Sequence, residues 1–188
     1  MIKAVIADFD GTLADTFEAN LCAYQKAFKD YGLELSRETY ASCFGLRFDD
    51  FMTRVHISDE DIQQRIKEKK RILYPSFFHL VKINRSLLNY INQFHLAGGK
   101  TAIASTARKE NLMSLVDYAR LNGFFDILYT GEDVTHGKPH PEIYLKTMSQ
   151  LDVTPESTLI FEDSPVGIMA ATKSGAHVIR VNIVRFNL

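Results

Sequence analysis

Ala4-Val5-Ile6-Ala7-Asp8-Phe9-Asp10-Gly11-Thr12 opens as an unbroken apolar run and ends in two acids and an Asp-Gly turn. Four small or β-branched residues with no polar alternation read as a strand buried on both faces, the pattern of a parallel sheet. On strand alternation Asp8 and Asp10 point the same way and Phe9 the opposite way. Further apolar runs of this kind follow at Thr101-Ala102-Ile103-Ala104, Ile127-Leu128-Tyr129, Thr158-Leu159-Ile160-Phe161 and Val178-Ile179.

Helix-period segments lie between these runs. Leu112, Leu115, Val116 and Ala119 make an apolar stripe, with Gly123 expected to close the helix. A helix is expected from His140-Pro141-Glu142 to about Leu151. Another begins at Pro165, capped by Ser164 and ended by Gly175. Strands alternating with helices predict an α/β fold with a doubly wound, mainly parallel sheet. From about Thr16 to Phe78 the alternation stops and only helix patterns appear. Phe17, Leu21, Tyr24 and Phe28 form one stripe, and Ser58 with the acids Asp59, Glu60 and Asp61 opens a second long helix. The expected division is a core of residues 1–15 and 82–188 and a helical insertion of 16–81, hinged at Leu13–Thr16 and Val81–Arg85. The basic run Arg65–Arg71 reads as a solvated helix face.

The composition narrows the function classes. At 188 residues the chain suits one catalytic domain or a core with an inserted subdomain. Net charge is -1, which gives no field drawing it to nucleic acid or anionic lipid. Cys22 and Cys43 lack CxxC spacing, and two cysteines cannot staple a fold of this size. No signal-peptide core or membrane span is evident, so a cytoplasmic protein is expected.

In an open α/β sheet, ligands bind beyond the carboxyl ends of the strands. The polar residues that follow the runs are Asp8 and Asp10, Ser105 and Thr106, and Glu162 and Asp163, with Lys138 in the loop before the Pro141 helix. Carboxylates converging on one cleft repel one another unless a cation lies between them. Hard oxygen ligands of this kind suit Mg²⁺ sharing a phosphate oxygen. A hydroxyl and a lysine would hold the remaining phosphoryl oxygens, and phosphoryl transfer needs little beyond positioning and charge stabilisation.

With these residues in order, the chain resembles the haloacid dehalogenase superfamily of phosphatases and phosphomutases. Asp8 to Thr12 is similar to its DxDGT motif, Ser105 to its second motif, Lys138 before Pro139 to its third, and Glu162-Asp163-Ser164 followed by Gly167 to its fourth. The resemblance implies that the helical insertion is a small cap. It also implies that Asp8 is the nucleophile forming an aspartyl-phosphate and that Asp10 is the general acid and base. Asp8, the backbone carbonyl of Asp10, and Asp163 would bind Mg²⁺, with Glu162 behind them rather than a direct ligand. Ser105 and Lys138 would grip the phosphoryl group. Thr106 is either a helper there or a helix N-cap, and the cap is the favoured reading.

The expected reaction is hydrolysis of a small phosphorylated metabolite by a monomer, with no nucleic-acid or membrane partner. A dehalogenase would lack the Asp10 carboxylate. Mutases of the family carry a histidine where this chain has Asn20, so a β-phosphoglucomutase-like activity is the alternative, beside a catalytically silent binding protein. A phosphonate-cleaving relative would need a cap lysine, and nothing marks Lys26 or Lys29 for that role. Arg47 in Gly45-Leu46-Arg47 is the cap residue expected to contact substrate. Gly99-Lys100-Thr101 precedes a strand and is not a phosphate-binding loop. His136 and His140, separated by Gly137 and Pro139, are read as loop histidines rather than a zinc-binding helix, with His140 near the phosphate. Many family members continue for a further strand and helix beyond the stretch at Val178–Val181, which leaves the sheet edge and its contacts open.

Overall fold

The computed structural model describes residues 1–182. They form two compact units, one of Met1–Asp15 with the chain from Lys82 onward, the other of Thr16–Val81. In the first unit, β1 (Ala4–Ala7), β4 (Lys100–Ala104), β5 (Ile127–Tyr129), β6 (Thr158–Glu162) and β7 (His177–Arg180) make a parallel sheet in the order β5-β4-β1-β6-β7. Parallel neighbours cannot be joined by tight turns, which is why helices separate them in sequence. α5 (Arg85–Leu96) precedes β4, α6 (Lys109–Tyr118) precedes β5, α7 (Glu142–Gln150) precedes β6 and α8 (Pro165–Lys173) precedes β7.

The register explains the apolar first strand. β1 lies between β4 and β6, with Ala4 opposite Lys100 and Thr158 and Ala7 opposite Ile103 and Phe161. Both faces are therefore covered. Ala4 and Ile6 join Ala102, Ala104 and Ile160 against Ile143, Tyr144 and Met148 of α7 and Ala170 and Ala171 of α8. On the opposite face the Phe161 ring meets Tyr90 of α5 with centroids 5.7 Å apart. Each fully buried aliphatic side chain here contributes about 1.5–3 kcal/mol of transfer free energy. The doubly wound parallel sheet is the architecture expected from the alternating runs.

Several local expectations need correction. The run at Val178-Ile179 is not buried on both faces, because among the described residues β7 is an edge strand and Ile179 keeps 45% of its surface exposed. α6 ends at Tyr118, well before Gly123. The left-handed residue that turns the chain is Arg120, and Leu121 N–H closes onto Val116 O. The expected hinges hold a short antiparallel pair, β2 (Ala14–Asp15) with β3 (Lys82–Ile83). Two residues per strand leave no period to read in sequence.

The helical unit contains α1 (Phe17–Lys29), α2 (Arg37–Cys43), α3 (Phe48–Arg54), α4 (Glu60–Leu73) and a 3₁₀ segment, Tyr74–Leu80. Leu21, Phe28, Tyr40, Phe51, Met52 and Ile66 are its buried centre, and Phe17 and Tyr24 pack against them. Asp59, not Ser58, caps α4, its carboxylate accepting from the N–H groups of Asp61 and Ile62. The basic run is not wholly solvated either. Lys70 is buried, its ammonium 3.6 Å from the centre of the Tyr74 ring and 5.2 Å from that of Tyr24. Lys69 does reach outward, to Asp30 at 2.7 Å.

Candidate active site

Three parallel strands carry their polar termini to one edge. Asp8 follows β1, Ser105 follows β4, and Glu162 and Asp163 end and follow β6. The chain after Asp8 turns sharply, with the N–H groups of Leu13 and Ala14 both donating to Phe9 O, at 3.1 and 2.9 Å. Gly11 sits at φ +96, and a Cβ there would fall 2.2 Å from Asp163 Oδ2. Glycine therefore serves both the backbone angle and the close approach of the acid.

Lys138 enters from the loop before α7. Its ammonium donates to Asp8 Oδ1 at 2.6 Å, Glu162 Oε1 at 2.7 Å and Ala104 O at 3.2 Å, and all four groups are buried. Burial would drive the lysine toward its neutral form, but Asp8, Tyr144 and Glu162 overcome this and hold its pKa well above the ordinary lysine value. Burial likewise pushes the Asp8 carboxyl up, against the pull of Lys138, with Glu162 and Asp163 adding repulsion. The geometry supports a charged Lys138, since two carboxylates face one ammonium.

Glu162 is held from several sides. Its Oε2 accepts from Ser164 N–H at 2.8 Å and Ser164 Oγ at 3.1 Å, and its Oε1 accepts from Tyr144 OH at 3.3 Å. A Cβ on Gly167 would lie 1.7 Å from Oε1. Ser164 also caps α8 by accepting from Gly167 N–H at 3.0 Å. Glu162 thus orients the lysine and the start of α8. Asp163 instead accepts from Thr12 Oγ1 at 2.8 Å, and its pKa is raised to about 6, chiefly by burial and then by Glu162 against the Thr12 hydrogen bond. Ser105 Oγ donates to Asp10 Oδ2 at 3.3 Å and accepts from Ala107 N–H at 3.1 Å.

Asp8, Asp10, Ser105, Lys138, Glu162 and Asp163 therefore converge. The donor set fits a hard cation: the buried Asp8 and the half-buried Asp163 carboxyl groups are both pushed toward protonation, and a cation between them would relieve that cost. Asp8 and Asp163 could supply side-chain oxygens and Asp10 its backbone carbonyl.

Thr106 does not cap α6. The N-cap position belongs to Arg108, without a side-chain cap, and Glu132 serves that helix end by accepting from Arg108 Nε and Lys109 N–H. The Thr106 backbone instead lies close to Gly131, where a Cβ would fall 2.6 Å from Thr106 O. Arg47 lies in the helical unit, half-buried at the N-cap position of α3. Asn20, also in that unit, donates through Nδ2 to Thr16 O at 3.2 Å and Tyr74 Oη at 3.1 Å. Sequence reasoning assigned no role to Thr12, although it stood in the motif, and it missed Tyr144. A tyrosine in an ordinary helix stripe carries no signal that its hydroxyl meets a buried glutamate.

Known proteins are similar to this chain over most of its length. A phosphorylated carbohydrates phosphatase of Thermotoga maritima is 31% identical over 184 residues, covering 93% of this chain and 82% of its own. Pyrophosphatase PpaX of Bacillus mycoides is 25% identical over 182 residues, covering 96% and 84%. A crystal structure of a CbbY variant from Rhodobacter sphaeroides with xylulose-1,5-bisphosphate superposes with a TM-score of 0.86 at 25% identity, covering 100% of this chain and 90% of that one. The sequence pattern of the haloacid dehalogenase-like hydrolases matches residues 5–181, nearly the whole chain, and it is to this family that the protein belongs.

Proposed function

We propose that this hydrolase is a Mg²⁺-dependent phosphatase of small phosphomonoesters that works through an aspartyl-phosphate on Asp8. The observation that carries the reading is the buried Lys138 ammonium, shared by Asp8 and Glu162 at 2.6 and 2.7 Å. A fixed cation beside a carboxylate nucleophile is what a transferring phosphoryl group needs. Mg²⁺, when bound by Asp8, the Asp10 carbonyl and Asp163, supplies further charge to the phosphoryl oxygens.

Lys138 holds Asp8 Oδ1, which leaves Oδ2 to attack phosphorus as the ester P–O bond breaks. Asp10, steadied by Ser105, gives its proton to the departing alkoxide. The resulting Asp10 carboxylate takes a proton from the water that attacks the phospho-Asp8. The P–Oδ2 bond breaks, inorganic phosphate leaves and Asp8 is restored. Ser105 Oγ and Lys138 Nζ orient the phosphoryl oxygens, and Glu162 orients Lys138. The helical unit serves as the cap, with Arg47 as its substrate contact.

Hydrolysis rather than mutation of sugar phosphates is favoured by Asn20. The amide there is already engaged with Thr16 and Tyr74, and it is no proton carrier. The names of the Thermotoga maritima relative and of the CbbY ligand make sugar phosphates the first compounds to test. The test is release of inorganic phosphate from a panel of phosphorylated sugars and small acids, with and without Mg²⁺, beside Asp8→Asn. Wild-type turnover surviving Asp8→Asn would sink the mechanism. Isomerised sugar phosphate with little free phosphate would replace the phosphatase by a mutase, and silence on the whole panel would favour a binding role.

A further inference from the structure

The loop that delivers Lys138 begins and ends in histidine, His136-Gly137-Lys138-Pro139-His140, and Glu142 follows. The sequence excludes a helix here, yet the fold brings the two rings together, with centroids 4.7 Å apart. His136 Nδ1 lies 3.0 Å from Glu142 Oε2, and Glu142 N–H lies 3.3 Å from His140 Nδ1. One ligand atom from each of His136, His140 and Glu142 falls within 4.8 Å of the others. These residues are separate from the Asp8, Asp10 and Asp163 set.

The geometry points to a second metal site at His136, His140 and Glu142, made for a borderline divalent transition ion such as Zn²⁺ rather than for Mg²⁺. Two imidazoles and one carboxylate are the ligand types that such an ion takes, and Mg²⁺ prefers oxygen alone. With arms of about 2.1 Å, a tetrahedral ion needs ligand atoms about 3.4 Å apart, so the trio must draw in by at most roughly 1.4 Å. Both histidines are exposed and can make that movement.

The carboxylate is prepared for this role. Its Oε1 accepts from Thr135 N–H at 3.0 Å and Lys146 Nζ at 2.9 Å, and its Oε2 accepts from His136 N–H at 2.8 Å. Those hydrogen bonds hold Glu142 ionised, with its pKa well below the usual carboxylate range, and they orient it as outer partners orient a metal ligand. An ion bound through Oε2 takes the place of the His136 Nδ1 proton, while Lys146 stays on Oε1. Because His136 and His140 flank Lys138, the ion fastens the lysine loop from both sides.

The test is calorimetric titration of the full chain with Zn²⁺ in a large excess of Mg²⁺, followed by the visible spectrum of Co²⁺ in the same protein. One equivalent of Zn²⁺ is expected to bind. His140→Ala should weaken it by about 10- to 100-fold or more, and Asp163→Asn should leave it unchanged. Co²⁺ should give the intense bands of a four- or five-coordinate nitrogen-containing site. The inference is overturned by no uptake above excess Mg²⁺, by uptake indifferent to His140→Ala, by uptake lost in Asp163→Asn, or by the weak spectrum of six oxygens. None of these readouts depends on phosphatase activity.

Discussion

Lys138 Nζ lies 2.7 Å from Glu162 Oε1, and the two side chains retain 2% and 1% of their exposure. Glu162 is therefore the partner that makes a buried cation beside Asp8 tolerable. Lys138→Met is expected to strand two buried carboxylates, costing on the order of 3–5 kcal/mol of stability and nearly all activity. Adding Glu162→Gln should restore part of the stability but none of the turnover. Denaturant melts and phosphate release on the two single variants and the double variant check this. Additive stability losses would show that the pair is not coupled.

Thr12 Oγ1 holds Asp163 at 2.8 Å. Thr12→Val keeps the shape and removes the donor. The apparent affinity for Mg²⁺ is expected to fall by about 10- to 100-fold, with much of kcat recovered at saturating Mg²⁺. Activity measured across a Mg²⁺ series separates this from a simple loss of folding, which added Mg²⁺ would not repair.

Asp163 links the site to pH. Its folded pKa of about 6 lies above the ordinary value of 3.8, so the folded metal-free chain holds that proton more tightly than the unfolded one. The group's stabilising effect is full below 3.8 and is lost as pH rises through about 6. Mg²⁺ needs the ionised form, so it should stabilise more at about pH 7.5 than at about pH 5. At a hundred times its Kd, Mg²⁺ contributes about 2.7 kcal/mol, or roughly a 5–10 °C rise in Tm for a chain of this size. Thermal melts with and without Mg²⁺ at both pH values, in wild type and Asp163→Asn, read the difference. An equal rise at both would count against Asp163 as a ligand.

Gly167 lies inside α8, where alanine would ordinarily gain about 1 kcal/mol of helix propensity. Its added Cβ would stand 1.7 Å from Glu162 Oε1. Gly167→Ala is therefore expected to lower both Tm and kcat by displacing the glutamate from Lys138. A Tm equal to or above wild type would show that the helix can shift away at little cost.

The sequence by itself determined the parallel core and which residues gather at the candidate site. Ala4–Ala7 has no polar residue to place in solvent, so it had to lie where strands flank it on both sides, and β1 between β4 and β6 meets that need. Asp8, Ser105 and Asp163 were legible because each stands at a strand's carboxyl end, a position set by local pattern. Helix ends at Ser164, Gly175 and Leu151 were legible for the same reason. That Lys138 joins Asp8 at this edge was legible too, but which atoms pair across distant segments was not. Lys138 and Asp8 are 130 positions apart and Thr12 and Asp163 are 151 apart, and no spacing rule relates them. The burial of Lys70, the Tyr144 hydroxyl on Glu162 and the service of Glu132 to the start of α6 likewise depend on which surfaces the folded chain brings face to face. The cost of leaving a charge or donor unpaired is settled only once water has been excluded, and that happens in the tertiary structure.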